Sequence, residues 1–241
     1  MGVPEVVILN RGIMVLYEKR VNGEGIRNSL VASSVLVGTL QDYSDHIPKR
    51  YRKSIFNKVA EFTSRISEVK HHDRVLDVGL CSFCLPEMLM YKAEDLFIAG
   101  IEQEAFTVRK ARRKFKNYLC TGQVELKCAE PSHIPYPDNV FDKVYAIDNT
   151  ILNEVDPLAC LKKTHRVLKH NKSVFLSMIL PMQYDNEKAR LQQIHSTFEL
   201  SVMTLLIQAG FINVRFVRGY HSHINTPKFT FQSICVIGDK D

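Results

Sequence analysis

The sequence predicts a three-layer α/β domain, a mostly parallel seven-stranded sheet covered by helices on both faces, with one antiparallel strand near its C-terminal end. Three observations predict it. An apolar run, Arg74–Val78, turns at Gly79 and passes into a helical pattern around Pro86. Beyond it, short apolar runs alternate with stretches whose apolar residues recur every three or four positions. The last two runs, Ile212–Val217 and Phe229–Ile237, follow one another with no helix between them, so one of them must run against the rest.

Each element follows from its own residues. Val6–Val21 reads as a strand pair or as a strand and a loop, broken at Asn22-Gly23-Glu24-Gly25, and Asn28–Leu40 is apolar enough to pack as a helix. Residues 1–50 are therefore read as an N-terminal, partly helical extension, and 51–241 as the domain. Ile55, Phe56, Val59, Phe62, Ile66 and Val69 stand at helical spacing and predict a helix from Ser54 to about Lys70. His71-His72-Asp73 connects it to the Val75 strand. Glu87–Asp95 reads as a helix and Leu96–Ile101 as a buried strand ending at Glu102. Val108, Ala111, Phe115 and Tyr118 mark the apolar side of a basic helix, which Gly122 separates from a strand at Val124–Cys128. A proline-rich loop leads to a strand at Val140–Ile147, ending at Asp148; a helix over Pro157–Leu168 and a strand over Val174–Ile179 follow. Leu191, Ile194, Phe198, Met203 and Leu206 predict a longer helix that Gly210 stops.

With 241 residues, 45% of them apolar, the chain can bury one sizeable core. No segment reaches the roughly 18 consecutive apolar residues a membrane span needs. No cleavage site follows the apolar Val6–Tyr17 stretch, and Met1-Gly2-Val3-Pro4-Glu5-Val6 lacks the Ser or Thr of a myristoylation signal. We therefore expect a cytoplasmic or nuclear protein that makes no membrane contact. The six cysteines are expected as thiols. Cys81-x-x-Cys84 has no second half-site, so neither a metal nor a disulfide is expected there. The net charge of +6 comes largely from Lys49-Arg50-Tyr51-Arg52-Lys53 and Arg109-Lys110-Ala111-Arg112-Arg113-Lys114. Both read as solvated helix faces; without an accompanying RNA-binding motif, nucleic acid is not expected as a partner.

The strand, tight turn and helix at 74–86 form a nucleotide-type binding element. Val75-Leu76-Asp77-Val78-Gly79 resembles the first motif of the Rossmann-like S-adenosylmethionine-dependent methyltransferases. That family continues with two further glycines at alternate positions, where Cys81 and Phe83 stand here. Ile134-Pro135-Tyr136-Pro137-Asp138-Asn139-Val140-Phe141-Asp142 resembles its Leu-Pro-Phe-x-Asp-x-x-Phe-Asp pattern, and Arg166-Val167-Leu168-Lys169 its Arg-Val-Leu-Lys. The family then turns on Pro-Gly-Gly, where His170-Asn171-Lys172 stand, and Asn can take the left-handed conformation that turn requires. The resemblance covers roughly residues 50–240 and implies S-adenosylmethionine as cofactor, with methyl transfer to an unidentified O, N or C nucleophile on a small molecule or a macromolecule. The altered glycine loop keeps a second reading open, an inactive methyltransferase-like scaffold that binds a protein partner. A dinucleotide-dependent oxidoreductase fits less well, because the first-turn fingerprint of that class is not met.

The candidate site residues follow. Asp77 and Gly79 form the first turn, and Glu102 ends the next strand about 20 residues on, where a carboxylate accepts from ribose hydroxyls. The resemblance puts Glu130 where the family has an Asp near the adenine, and turns Asp148 and Asn149 toward the methyl group and substrate; helix capping before Pro157 would equally account for those two. Loops at the strands' carboxyl ends gather over the ligand, which brings Tyr184, His221 and His223 to the substrate side, the histidines as ordinary loop residues or as bases near neutral pH. No residue is singled out as catalytic, and no metal is required. If a cofactor binds, Phe83 must turn away from it, into the apolar space between the first strand and its following helix.

Overall fold

The computed structural model describes residues 5–9, 12–16, 49–80, 83–148, 150–183, 188–220 and 230–241. The chain forms two compact units, Met1–Ala32 and Ser33–Asp241. In the first, β1 (Glu5–Leu9) and β2 (Gly12–Leu16) pair antiparallel, with Glu5 opposite Leu16. This is the strand pair among the two readings of that segment; the break expected at Asn22–Gly25 lies outside the described residues. The helix expected over Asn28–Leu40 lies outside the described residues.

In the second unit the elements are α1 (Lys49–Ile66), β3 (Arg74–Val78), α2 (Cys84–Met90), β4 (Phe97–Glu102), α3 (Ala105–Lys114), α4 (Lys116–Cys120), β5 (Val124–Cys128), β6 (Phe141–Ile147), α5 (Pro157–Val167), β7 (Leu168–Gln183), α6 (Lys188–Gln208), β8 (Ile212–Tyr220) and β9 (Thr230–Asp239). The sheet runs β5-β4-β3-β6-β7-β9-β8. Every pair is parallel except those of β9, which lies antiparallel between β7 and β8. The chain winds outward from β3 to β5, returns to the middle at β6, and winds the other way. That reversal leaves a crevice at the carboxyl ends of β3 and β6.

Strand alternation builds two cores. Leu76, Val78, Val144, Ala146, Val174 and Leu176 face α5 and α6, meeting Leu161, Phe198, Val202 and Leu206. Val75, Ile98, Tyr145, Ile147 and Phe175 face α1, α2 and α3, meeting Ile55, Val59, Leu85, Leu89, Val108 and Ala111. Asp77 shares the second face. Gly219 lies under the Phe62 ring, where an added Cβ would come within 2.8 Å.

Several elements differ in extent from expectation. The first helix starts at Lys49 and ends at Ile66, and Ser67 donates back to Thr63 O at 3.1 Å. Helix α2 runs over Cys84–Met90 instead of Glu87–Asp95, because Tyr91 and Lys92 close its last turn onto Glu87 and Leu89. The basic helix breaks at Phe115, whose fully buried ring separates α3 from α4. Strand β7 begins six residues early, since Leu168 already pairs with Phe141, and Asn171 holds its irregularity at φ 57. Gly210 stops α6 with φ +102.

A polar knot ties the loop before β6 to the end of α5. Arg166 donates to the carbonyls of Ile134 (2.9 Å) and Tyr136 (2.8 Å) and to Asp138 Oδ1 (2.6 Å). The Lys240 ammonium, beyond β9, donates to His165 O (2.9 Å), Leu168 O (2.8 Å) and Asn139 Oδ1 (2.8 Å). A cation there satisfies carbonyls that a helix C-terminus leaves without partners.

Candidate ligand site in the sheet crevice

A cavity of about 340 Å³ opens at the carboxyl ends of β3, β4 and β6, lined by Gly79, Glu102, Asp148, Thr150, Asn153 and Glu154, with Ile101, Gln103, Ala129 and Pro131 completing the wall. Its volume falls in the usual range for small-molecule sites. Three of the five expected cofactor residues therefore meet around one space.

The first turn explains the shape. Gly79 stands at φ +77 and donates its N–H to Ile101 O at 2.8 Å, so the chain leaving β3 is pinned to the end of β4. A Cβ at Gly79 would lie 2.3 Å from Thr150 Cγ2 and 2.5 Å from Thr150 Oγ1. Only glycine accepts both that conformation and that approach. Thr150 is held in place by donating to Ile147 O at 2.8 Å.

Asp77 lies beneath this turn, 4% exposed. Burial, and then the neighbouring Glu102 charge, push its carboxyl up to about 8, so it keeps its proton at neutral pH. Asp77 is not among the residues that line the cavity. Glu102 is half-buried and lines the cavity; its Oε1 accepts the Glu104 N–H at 2.9 Å, which fixes the carboxylate at the strand end. Asp148 has φ 66 and donates its N–H to Ser177 O at 2.9 Å. Burial raises its carboxyl to about 7, against the opposing pull of the Arg52 guanidinium from α1. One basic run read as a solvated face therefore sends a residue toward the site.

Glu130 does not line this cavity. It is exposed in the turn after β5, where Ser132 Oγ donates to its Oε2 at 3.2 Å, and it borders a second, more open hollow of about 640 Å³ with Arg112, Lys127 and His133. Ala129 lines both spaces. Asn149, Tyr184, His221 and His223 lie outside the described residues, as do Cys81 and Ser82. Cys84 donates from Sγ to Asn57 Oδ1 at 2.7 Å. No cluster of three metal-ligating side chains occurs among the described residues, and no described helix is long and apolar enough to cross a membrane.

Sequence reasoning missed Thr150, Asn153 and Glu154. They sit in one irregular segment after β6, without periodicity, and only the close approach of Thr150 to Gly79 reveals them. Phe83 is half-buried and packs against the cluster that includes Leu80, Leu85 and Leu89.

Carboxylates on two strand ends, a glycine turn and a wall of loop residues suit a ligand rich in hydroxyl and amino donors. Residues 76–176 match the family model described as "Methyltransferase domain". Cycloartenol-C-24-methyltransferase 1 of Oryza sativa subsp. japonica is 31% identical over 101 residues, 42% of this chain and 29% of its own length. The O-methyltransferase rstn1 of Aspergillus nomiae is 27% identical over 164 residues, 65% of this chain and 71% of its own. The chain thus spans less than a third of the first of these relatives. A solved structure of geranyl diphosphate methyltransferase in complex with SAM superposes with a TM-score of 0.57 at 13% identity, over 77% of this chain and 85% of that one, a likeness of fold. The matched residues 76–176, the centre of the sheet and the floor of its crevice, thus resemble a methyltransferase domain.

Proposed function

We propose that this protein transfers a methyl group from S-adenosylmethionine to an acceptor nucleophile. The observation that carries the reading is the convergence of Gly79, Glu102 and Asp148 on one cavity at the point where the sheet reverses its winding. Fit is judged from the donor set. Glu102, with one oxygen tied to Glu104 N–H, can accept from a pair of ribose hydroxyls, and the carboxyls of Asp148 and Glu154 add further acceptors to the wall. S-adenosylmethionine supplies a methyl group already activated on a cationic sulfur, so the chain needs no metal and no strong base. Its residues bind, orient and exclude water. Gly79 lets the backbone approach; Glu102 fixes the sugar end; Thr150 and Asp148 border the reacting end. Glu130, in the neighbouring hollow, is proposed for the adenine side, and Asn149, Tyr184, His221 and His223 for the acceptor side.

The half-buried Phe83 ring rests against the apolar cluster, which is the arrangement the active reading requires of it. The names of the relatives, cycloartenol and O-methyltransferases, favour a small organic acceptor. Calorimetric titration with S-adenosylmethionine and S-adenosylhomocysteine tests the reading. Saturable one-to-one binding of both is expected; absence of heat and of any thermal shift with either compound would leave the scaffold reading in its place.

A further inference from the structure

Phe83 occupies a position that glycine would fill without strain. Its φ of 56 and ψ of 12 put an L-residue in the left-handed region immediately before α2, with no side-chain hydrogen bond capping the helix. A Cβ there disfavours the local conformation roughly tenfold or more. Something must hold it, and the surroundings name the group. Lys114, the last residue of α3, donates from Nζ to the Phe83 carbonyl at 3.1 Å. The same ammonium pairs with Glu87 Oε2 at 2.9 Å, in the first turn of α2. It also lies 5.9 Å from the Phe83 ring centroid and 5.6 Å from that of Phe115. One cation from a different helix thus gathers the carbonyl, the ring and the following turn of the segment that leaves the cofactor loop.

We propose that Lys114 is a positioning residue for that loop, supplying by contact what a glycine at 83 would supply by conformational freedom. Applied to ligand binding, the inference rests on the cofactor reading above. An isolated ion pair this exposed does little for a fold. Lys114 differs because its carbonyl contact bears on a backbone state that is otherwise disfavoured. Its effect must therefore depend on which residue stands at 83.

The test is Lys114→Met in three backgrounds: wild type, Phe83→Ala and Phe83→Gly. Alanine keeps the backbone penalty and removes the ring; glycine removes both. Amide hydrogen exchange at Glu87, Met88 and Leu89, the first amides of α2 with intrahelical acceptors, read relative to Val75–Val78, reports the loop without any ligand, and calorimetry with S-adenosylmethionine reports binding. Loss of the ammonium should speed exchange and weaken binding by about five- to tenfold in the first two backgrounds and less than twofold in the third. Lys114→Arg should stay within about threefold of wild type, since a guanidinium still donates. Equal effects in all three backgrounds, or no change in exchange in any, would overturn the assignment. If the exchange pattern holds while no background binds S-adenosylmethionine, the loop assignment stands and the cofactor reading fails.

Discussion

Gly79→Ala perturbs the site at its narrowest point. Two costs follow from the geometry. At φ +77 an alanine is disfavoured by about 1–2 kcal/mol. Its Cβ would also lie 2.3 Å from Thr150 Cγ2, 2.5 Å from Oγ1 and 2.9 Å from Cβ. Thr150 cannot swing away freely, because its hydroxyl donates to Ile147 O. Overpacking of this kind costs about 1–3 kcal/mol, so the total is about 2–5 kcal/mol. A domain of this size would melt roughly 5–15 °C lower. The two costs separate in a double-mutant cycle with Thr150→Gly, which removes the three atoms nearest the added Cβ and leaves the backbone cost. Urea unfolding of the four proteins should give a coupling of about 1–3 kcal/mol between the positions. A Gly79→Ala protein within about 0.5 kcal/mol of wild type, or a coupling near zero, would refute the reasoning and remove Thr150 from the description of the turn.

Three further outcomes are expected. Glu102→Ala should weaken S-adenosylmethionine binding by about 1.5–3 kcal/mol by calorimetry; unchanged affinity in the folded variant would take Glu102 out of the site. Asp77 and Asp148 hold their protons to higher pH folded than unfolded, Asp77 up to about 8 and Asp148 up to about 7. The folded chain therefore binds more protons between about pH 4 and 8, and these carboxyls' contribution to stability must fall as pH rises through that window. Urea midpoints at about pH 5 and 8 should show the fall, and Asp77→Asn should flatten it; an undiminished slope in that variant would rule Asp77 out as its source. Arg166→Met strips donors from Ile134 O, Tyr136 O and Asp138 and should cost about 1–3 kcal/mol. Chemical denaturation checks this, and a loss below about 0.5 kcal/mol would show the knot to be incidental.

The sheet was legible because its strands are buried on both faces and read as continuous apolar runs, with Gly79 and Gly210 at the turns that need them. Glu102 was legible for a similar reason: a strand end at a fixed distance from a glycine turn has a fixed place in space. Element ends were less so. Phe115 sits at helical spacing yet breaks the helix, since burying its ring outweighed one more turn of periodicity. The resemblance placed Glu130 on the adenine side, and the turn that Ser132 and His133 close on it faces it to the neighbouring hollow. Thr150, Asn153 and Glu154 matter through what they face, which no local pattern encodes. The Ile134–Asp142 resemblance was plain in the sequence, but its physical content, two carbonyls and a carboxylate held by Arg166, required the fold.

The Lys240 contacts bear on the order in which a nascent chain can assemble this domain. Asn139 and Leu168 wait for a partner 101 and 72 residues downstream. β9 must also enter between β7 and β8 before that lysine arrives. On a ribosome, β3 to β6 can therefore assemble while the end of α5 still exposes carbonyls that only the emerging C-terminal segment will satisfy. The loop that carries Asn139 gains this anchor only once the segment beyond β9 has been made, after most of the sheet has formed.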